Sequence, residues 1–405
     1  MLYQAYQTVA WATEPMRALA RTGLAAFAAT AGEDAPPALR GLSAALAMTA
    51  RATLSHDRPP FAIDTVVVGN REVAVREEVA LALPFCDLIH FVKEDVAVPQ
   101  PRMLLVAPLS GHFATLLRHT VETLLADHDV YITDWKNARD VPVAHGGFGL
   151  DNYVDYLMRF IASIGPGAHV LAVCQPCVQA LAAVAVMAAD KHPAQPRSLT
   201  LMAGPIDTRV NPTAVNTLAT SRPMDWFERH LIASVPFPFP GVGRRVYPGF
   251  VQLAAFMSMN MERHVDAHRD MFRHLADGRA GDAASIAAFY DEYFAVLDLP
   301  AEFYLETVAT IFQEARLARG ALTWRGREVD PGAIRRTALL TVEGERDDIC
   351  SVGQTAAAHA LCTGLRPHLK RHHHQPGVGH YGTFSGRRWQ SQIYPVIRSF
   401  VLATN

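Results

Sequence analysis

The chain has 405 residues, half of them apolar and 19% charged, enough to bury a large core and too apolar for wholesale disorder. Its 37 basic and 39 acidic residues give a formal net charge of −2, a balance that gathers neither nucleic acid nor anionic lipid, so nucleic-acid binding is set aside. No run reaches the ~20 apolar residues that span a bilayer, no cationic stretch precedes an apolar one at the start, and five scattered cysteines do not form a disulfide framework; a cytoplasmic protein with free thiols is expected.

Residues 1–56 read as a helical extension: Leu2, Ala5, Tyr6, Val9 and Ala10 are spaced for one helix face, and a Gly/Pro break falls near 32–37. The β-branched runs TVVVG (65–69), EVAVREEV (72–79) and DLIHFVK (87–93) predict antiparallel edge strands. A strand–helix alternation follows. RMLLVAP (102–108) precedes a helix over about 113–126, VYITD (130–134) one over 151–164, and HVLAV (169–173) one running to 189, with SLTLMA (198–203) closing this half. Short apolar runs alternating with helices are the pattern of a mostly parallel sheet covered on both faces.

Between 205 and 336 no strand pattern stands out and aromatics are frequent, so an inserted helical lid is expected there. TALLTVE (337–343) resumes the sheet, followed by a helix over 354–361, a last strand over 369–374 and a closing helix over 389–403. The core is thus expected in two parts, 57–204 and 337–405.

Ligands meet parallel sheets at the carboxyl ends of strands. Three such ends carry reactive side chains. In Ala172-Val173-Cys174-Gln175-Pro176 an apolar strand turns at once into a helix with a thiol at the bend, where the helix dipole and its unpaired N–H groups favour negative charge. Ala172 and Pro176 stand where a G-x-S-x-G elbow has glycines, although proline suits a first helical turn. Asp347, in the turn after TALLTVE, can orient an imidazole; Asp348, one residue on, points elsewhere. His380 lies in the glycine-flanked loop 377–382. Cys174, Asp347 and His380 come in the nucleophile–acid–histidine order of α/β-hydrolases, with His380 as the proton shuttle. An oxyanion would be met by the Gln175 N–H and by Leu109 or Ser110 in the loop after RMLLVAP, while His112 either contacts the acyl group or caps the following helix.

The segments APLSGHFATLLR (107–118), DVYITDW (129–135), VCQPCVQALAAVA (173–185), TVEGERDDI (341–349) and GHYGTFSGRRW (379–389) resemble the intracellular polyhydroxyalkanoate depolymerases, and the likeness runs from about Leu2 over nearly the whole chain. That family uses cysteine in place of serine. The resemblance implies the same triad, a storage polyester such as poly(3-hydroxybutyrate) as substrate, and association with polyhydroxyalkanoate granules in the cytoplasm. It implies no metal or cofactor, with water or coenzyme A as acyl acceptor, and a homo-oligomer is compatible with it. Cys177 inherits no role.

Other readings stand beside these. Cys86, Cys350 and Cys362 read as small core hydrophobes. Cys174-x-x-Cys177 also fits a redox pair, a reading that leaves Asp347 and His380 unused. His372, His373 and His374 alternate faces on a strand and cannot all bind one metal ion. Trp226, Phe237 and Phe239, in the proline-broken WFERHLIASVPFPFPG (226–241), are candidates for gripping an apolar polymer, against the plainer reading as core. A polyester synthase would share the cysteine chemistry but favours a G-x-C-x-G elbow, and a passive granule coat would have no use for Cys174, Asp347 and His380.

Overall fold

A computed structural model describes residues 2–27, 35–96, 98–259 and 261–405. Nine strands form the central sheet: β1 (Thr65–Val68), β2 (Arg71–Ala82), β3 (Cys86–Lys93), β4 (Arg102–Val106), β5 (Asp129–Trp135), β6 (His169–Val173), β7 (Ser198–Met202), β8 (Ala338–Gly344) and β9 (Lys370–Gln375). Their spatial order is β1-β2-β3-β5-β4-β6-β7-β8-β9. The pairings β1/β2, β2/β3 and β3/β5 are antiparallel, and every pairing from β5 to β9 is parallel. With helices on both faces this is the α/β-hydrolase fold.

Burial explains the strand sequences. β6, β7 and β8 are buried at every position and read as continuous apolar runs, because helices cover both faces. The edge strand β9, KRHHHQ, is largely solvent-facing, and its charged and polar side chains discourage pairing with another sheet. The helix Cys177–Ala189 carries no charge and is buried from Cys177 through Met187, as expected of a helix enclosed by the core.

Between β7 and β8 the chain leaves the sheet. Helices Gly249–Met259, Met261–Ala276 and Ala280–Tyr293 account for much of this stretch. Contrary to the strand-free expectation, it also holds a three-stranded sheet (Ala233–Ser234, Arg245–Tyr247, Leu299–Pro300) and the hairpin Thr323–Trp324 with Arg327–Glu328. Strands of two or three residues are too short to show a period of two.

At the N-terminus the helices Leu2–Phe27 and Pro37–Arg51 pack together. The expected break includes Gly32, which lies outside the described residues; Pro36 and Pro37 open the second helix. The first helix is tied to the insertion by the Tyr3 hydroxyl, which donates to Asp298 Oδ2 at 2.6 Å, and by Tyr6, stacked on Phe250 with ring centroids 4.0 Å apart.

Candidate active site

β6 ends at Val173 and the next residue, Cys174, has φ +65°, a left-handed backbone in which a non-glycine residue costs about 1–2 kcal/mol. The bend is held from both sides. The Cys174 N–H donates to the Met202 carbonyl at 2.8 Å, and the Cys177 N–H donates to the Cys174 carbonyl at 3.2 Å. Pro176 then leads into the helix, its missing N–H costing nothing in a first turn. The sequence offers no glycine at 172 or 176, and clearance comes instead from the loop after β7. A Cβ on Gly204 would lie 2.2 Å from Cys177 Cβ and 3.1 Å from the Cys174 carbonyl oxygen, so only glycine fits there. Cys174 is partly exposed, whereas the other four cysteines are buried. The Cys177 thiol points into the sheet, 3.4 Å from the Ala172 carbonyl, and burial pushes its pKa well above the ordinary thiol value, which suits a packing role rather than a redox one.

Asp347 and His380 come together beside this bend. Asp347 is buried while Asp348 is exposed, which separates the two neighbouring carboxylates. Asp347 Oδ1 accepts from the N–H groups of Ile349 at 2.9 Å and Cys350 at 2.8 Å, and Oδ2 accepts from His380 Nδ1 at 2.8 Å. The imidazole also lies close enough to Cys174 to feel the sulfur's charge. Burial alone would strip the proton from His380. The Cys174 sulfur and the Asp347 carboxylate outweigh it and hold the imidazole pKa well above its ordinary value. A sulfur, an imidazole and a carboxylate in this relay can deprotonate a thiol, attack a carbonyl and pass the proton to a leaving group.

The loop after β4 faces the same bend. Its Leu109 N–H donates to Gln175 Oε1 at 3.2 Å. Ser110 is fixed through its carbonyl, which accepts from Gln252 Nε2, and the Gly111 carbonyl accepts from the Leu297 N–H at 2.9 Å. Gly111 has φ +92°, and a Cβ there would meet Gln252 Cδ at 2.8 Å. His112 is buried and stacked on Tyr293, centroids 5.0 Å apart, and burial lowers its pKa to about 4, so its ring is neutral.

The three aromatic candidates are not brought together. Phe239 packs with Tyr3, Ala138, Val235 and Val246 under the Arg139 guanidinium, 4.3 Å above its ring, so it helps to seat the N-terminal helix. Trp226 stacks on His230 and packs against Phe227 in a separate cluster. Phe237 alone stands free, 81% exposed. On β9, His372 Nδ1 bonds Thr341 Oγ1 at 2.8 Å, and among the described residues no group of three or more His, Cys, Asp or Glu side chains could hold a metal ion.

Residues not singled out from the sequence also build the site. Glu343, fully buried at the end of β8, accepts from the N–H groups of Gly353, Thr355 and Ala356 at 2.8–3.0 Å and so holds the loop that begins with Asp347. The helix expected over 354–361 is confined to Ala358–Leu361. The sequence signal was a lone carboxylate ending an otherwise apolar strand. Tyr381, next to His380, packs against the cluster of the insertion that contains Tyr293 and so links the histidine loop to it. Cavities of about 810 and 750 Å³ lie instead beside the helix Pro37–Arg51, bordered by Met48 and His268, and contain none of Cys174, Asp347 and His380.

Residues 203–405 match the family described as PHB de-polymerase C-terminus, a stretch that includes Asp347 and His380 and begins after Cys174. No curated protein matches the chain. Among solved structures, similarity extends to a protein described as a lipase from Acinetobacter baumannii AYE (15% identity, 81% of this chain and 93% of that one, TM-score 0.44). It extends also to a monoacylglycerol lipase from Paleococcus ferrophilus (12%, 76% and 97%, TM-score 0.44) and a meta-cleavage product hydrolase from Pseudomonas fluorescens IP01 (12%, 84% and 98%, TM-score 0.42).

Proposed function

The chain belongs to the PHB de-polymerase C-terminus family, and from that membership together with the site geometry we propose that it is an intracellular poly(3-hydroxybutyrate)/polyhydroxyalkanoate depolymerase that cleaves polyester bonds through Cys174. One observation carries the choice of nucleophile: His380 is hydrogen-bonded through Nδ1 to Asp347 and interacts electrostatically with Cys174, and Cys174 alone of these sits at a left-handed strand-to-helix bend. A passive granule coat has no use for that relay.

In the proposed reaction the Cys174 sulfur attacks an ester carbonyl and its proton resides on His380 Nε2, with Asp347 fixing the ring through Nδ1. The tetrahedral oxyanion is met by the Gln175 main-chain N–H and a second donor from the region of the Leu109–Ser110 loop. Collapse breaks the ester C–O bond, His380 protonates the departing hydroxyl end of the polymer, and an acyl-thioester remains on Cys174. Water, activated by His380, then releases the hydroxyacid; a thiol such as coenzyme A is the alternative acceptor. The helical insertion acts as a lid over the bend, with Gln252 and Tyr293 contacting the loops that carry Ser110 and Tyr381. Phe237, free of packing duties, is the remaining aromatic candidate for touching polymer.

The test uses amorphous poly(3-hydroxybutyrate). Wild type should release soluble 3-hydroxybutyrate, and Cys174→Ala should lose on the order of 10⁴-fold or more in rate while still folding. Growth of polymer from hydroxyacyl-coenzyme A, or unchanged release by Cys174→Ala, would contradict the reading.

A further inference from the structure

Acyl transfer needs at least two donors at the oxyanion, and the loop after β4 is the usual source of the second. In this protein the Leu109 N–H has only one hydrogen, and it is already directed at Gln175 Oε1, 3.2 Å away. The orientation of that carboxamide is dictated by chemistry: turned over, its NH₂ would face the Leu109 N–H, donor against donor. Its Nε2 therefore points away from Leu109. Gln175 is only 9% exposed, yet Nε2 has no hydrogen-bond partner. Both N–H bonds of this amide, on the residue next to Cys174, are left without a protein acceptor.

The loop does not offer Leu109 an easy escape from this bond. Ala107 anchors it through its N–H to Thr133 Oγ1 at 2.9 Å and through its carbonyl, which accepts from Trp135 Nε1 at 2.9 Å and the Tyr153 hydroxyl at 3.3 Å. Gln252 and Leu297 hold the carbonyls of Ser110 and Gly111 from the insertion. The Leu109 N–H is thus fixed in place as the anchor of the carboxamide, which joins the residue after the Cys174 bend to the loop after β4.

We propose that the side chain of Gln175, through Nε2, is the second oxyanion donor, converging with the main-chain N–H of the same residue, while Leu109 only orients it. The inference rests on acyl transfer at Cys174. No proton is transferred in this step: as the C=O bond becomes C–O⁻, the oxygen accepts a hydrogen bond from an N–H that no protein group accepts from.

Two substitutions test it with a soluble 3-hydroxybutyrate oligomer. Gln175→Met keeps the bulk, removes the NH₂ and frees the Leu109 N–H; Gln175→Glu keeps an acceptor for Leu109 and removes the NH₂. Both should lower kcat by about 10²- to 10³-fold with KM little changed. Alkylation of Cys174 by iodoacetamide, a displacement that forms no oxyanion, should proceed at the wild-type rate in both and shows that fold and thiol are intact. Gln175→Met turning over at a rate comparable to wild type, or faster, would overturn the inference, since the freed Leu109 N–H would then suffice. If Cys174→Ala retained activity, acyl transfer at Cys174 would fail instead; a dead Cys174→Ala beside an active Gln175→Met would remove this inference alone.

Discussion

Two buried clusters in this molecule join an imidazole or a phenol to a carboxylate contributed from far along the chain, and they behave in opposite ways. In the first, Tyr6 bonds His56 Nε2 at 2.8 Å while Tyr3 donates to Asp298, fastening the N-terminal helix to the insertion. Burial, with some help from the charge of Arg139, lowers the His56 pKa to about 3, and burial raises Asp298 to about 6. Desolvation is the largest influence on both, and it disfavours the charged form of each. In the second cluster His380 is as deeply buried, yet the Cys174 sulfur and the Asp347 carboxylate reverse the effect and keep its pKa high. The lesson is that burial sets the default and specific partners decide. One cluster is a fastening; the other can hold and hand on a proton.

The largest effect expected from breaking this contrast is at Asp347. Asp347→Asn leaves the shape but removes the charge that fixes the His380 tautomer, so kcat should fall on the order of 10³- to 10⁴-fold, read with a soluble ester. A loss of only a few-fold would mean that Asp347 is not the acid of the relay.

A smaller effect, on stability rather than turnover, is expected at the fastening. Tyr3→Phe removes the hydroxyl that satisfies Asp298 Oδ2 in a fully buried setting, and should cost about 1–3 kcal/mol, seen as a lower urea midpoint with unchanged kcat. An unchanged midpoint would show that the helix is held by packing alone.

The smallest effect lies in the pH dependence. His56, at about 3, and His112, His128 and His169, each at about 4, are kept neutral chiefly by burial, against an ordinary value of 6.5. The unfolded chain therefore binds more protons than the folded one between about pH 4 and pH 6.5, and stability falls as pH drops through that window. Asp298 acts the other way: its raised pKa gives stability present below its unfolded value of about 4 and lost as pH rises toward about 6. The contribution of His380, also raised, is lost only on the alkaline side. His56→Gln removes one of these depressed imidazoles, so its urea midpoint should fall less than that of wild type between about pH 7 and about pH 5. An equal or steeper fall would contradict the assignment of His56 as a buried neutral ring.

The same contrast explains what the sequence disclosed. The relay was legible because each member ends a local pattern: Cys174 closes an apolar strand, Asp347 follows another by a short turn, and His380 sits in a glycine-flanked loop. Even the choice of Asp347 over Asp348 followed from local spacing and agrees with their burial. The fastening was not legible, since Tyr3 and Asp298 are 295 residues apart and nothing in either neighbourhood points to the other. For the same reason Gly204, beneath Cys177, and the packing of Phe239 beside Tyr3 passed unnoticed. Periodicity and motifs report which face or bend a residue occupies; they are silent on which distant surface that face meets.

The central claim is a covalent one, and the most direct measurement is to trap the intermediate. The protein would be mixed with an activated 3-hydroxybutyryl ester, quenched in acid within the first turnover, and mapped by peptide mass spectrometry. A single hydroxybutyryl adduct is expected on the peptide carrying Cys174, absent in Cys174→Ala. Turnover with the adduct on another side chain, or with Cys174 unmodified throughout, would contradict it.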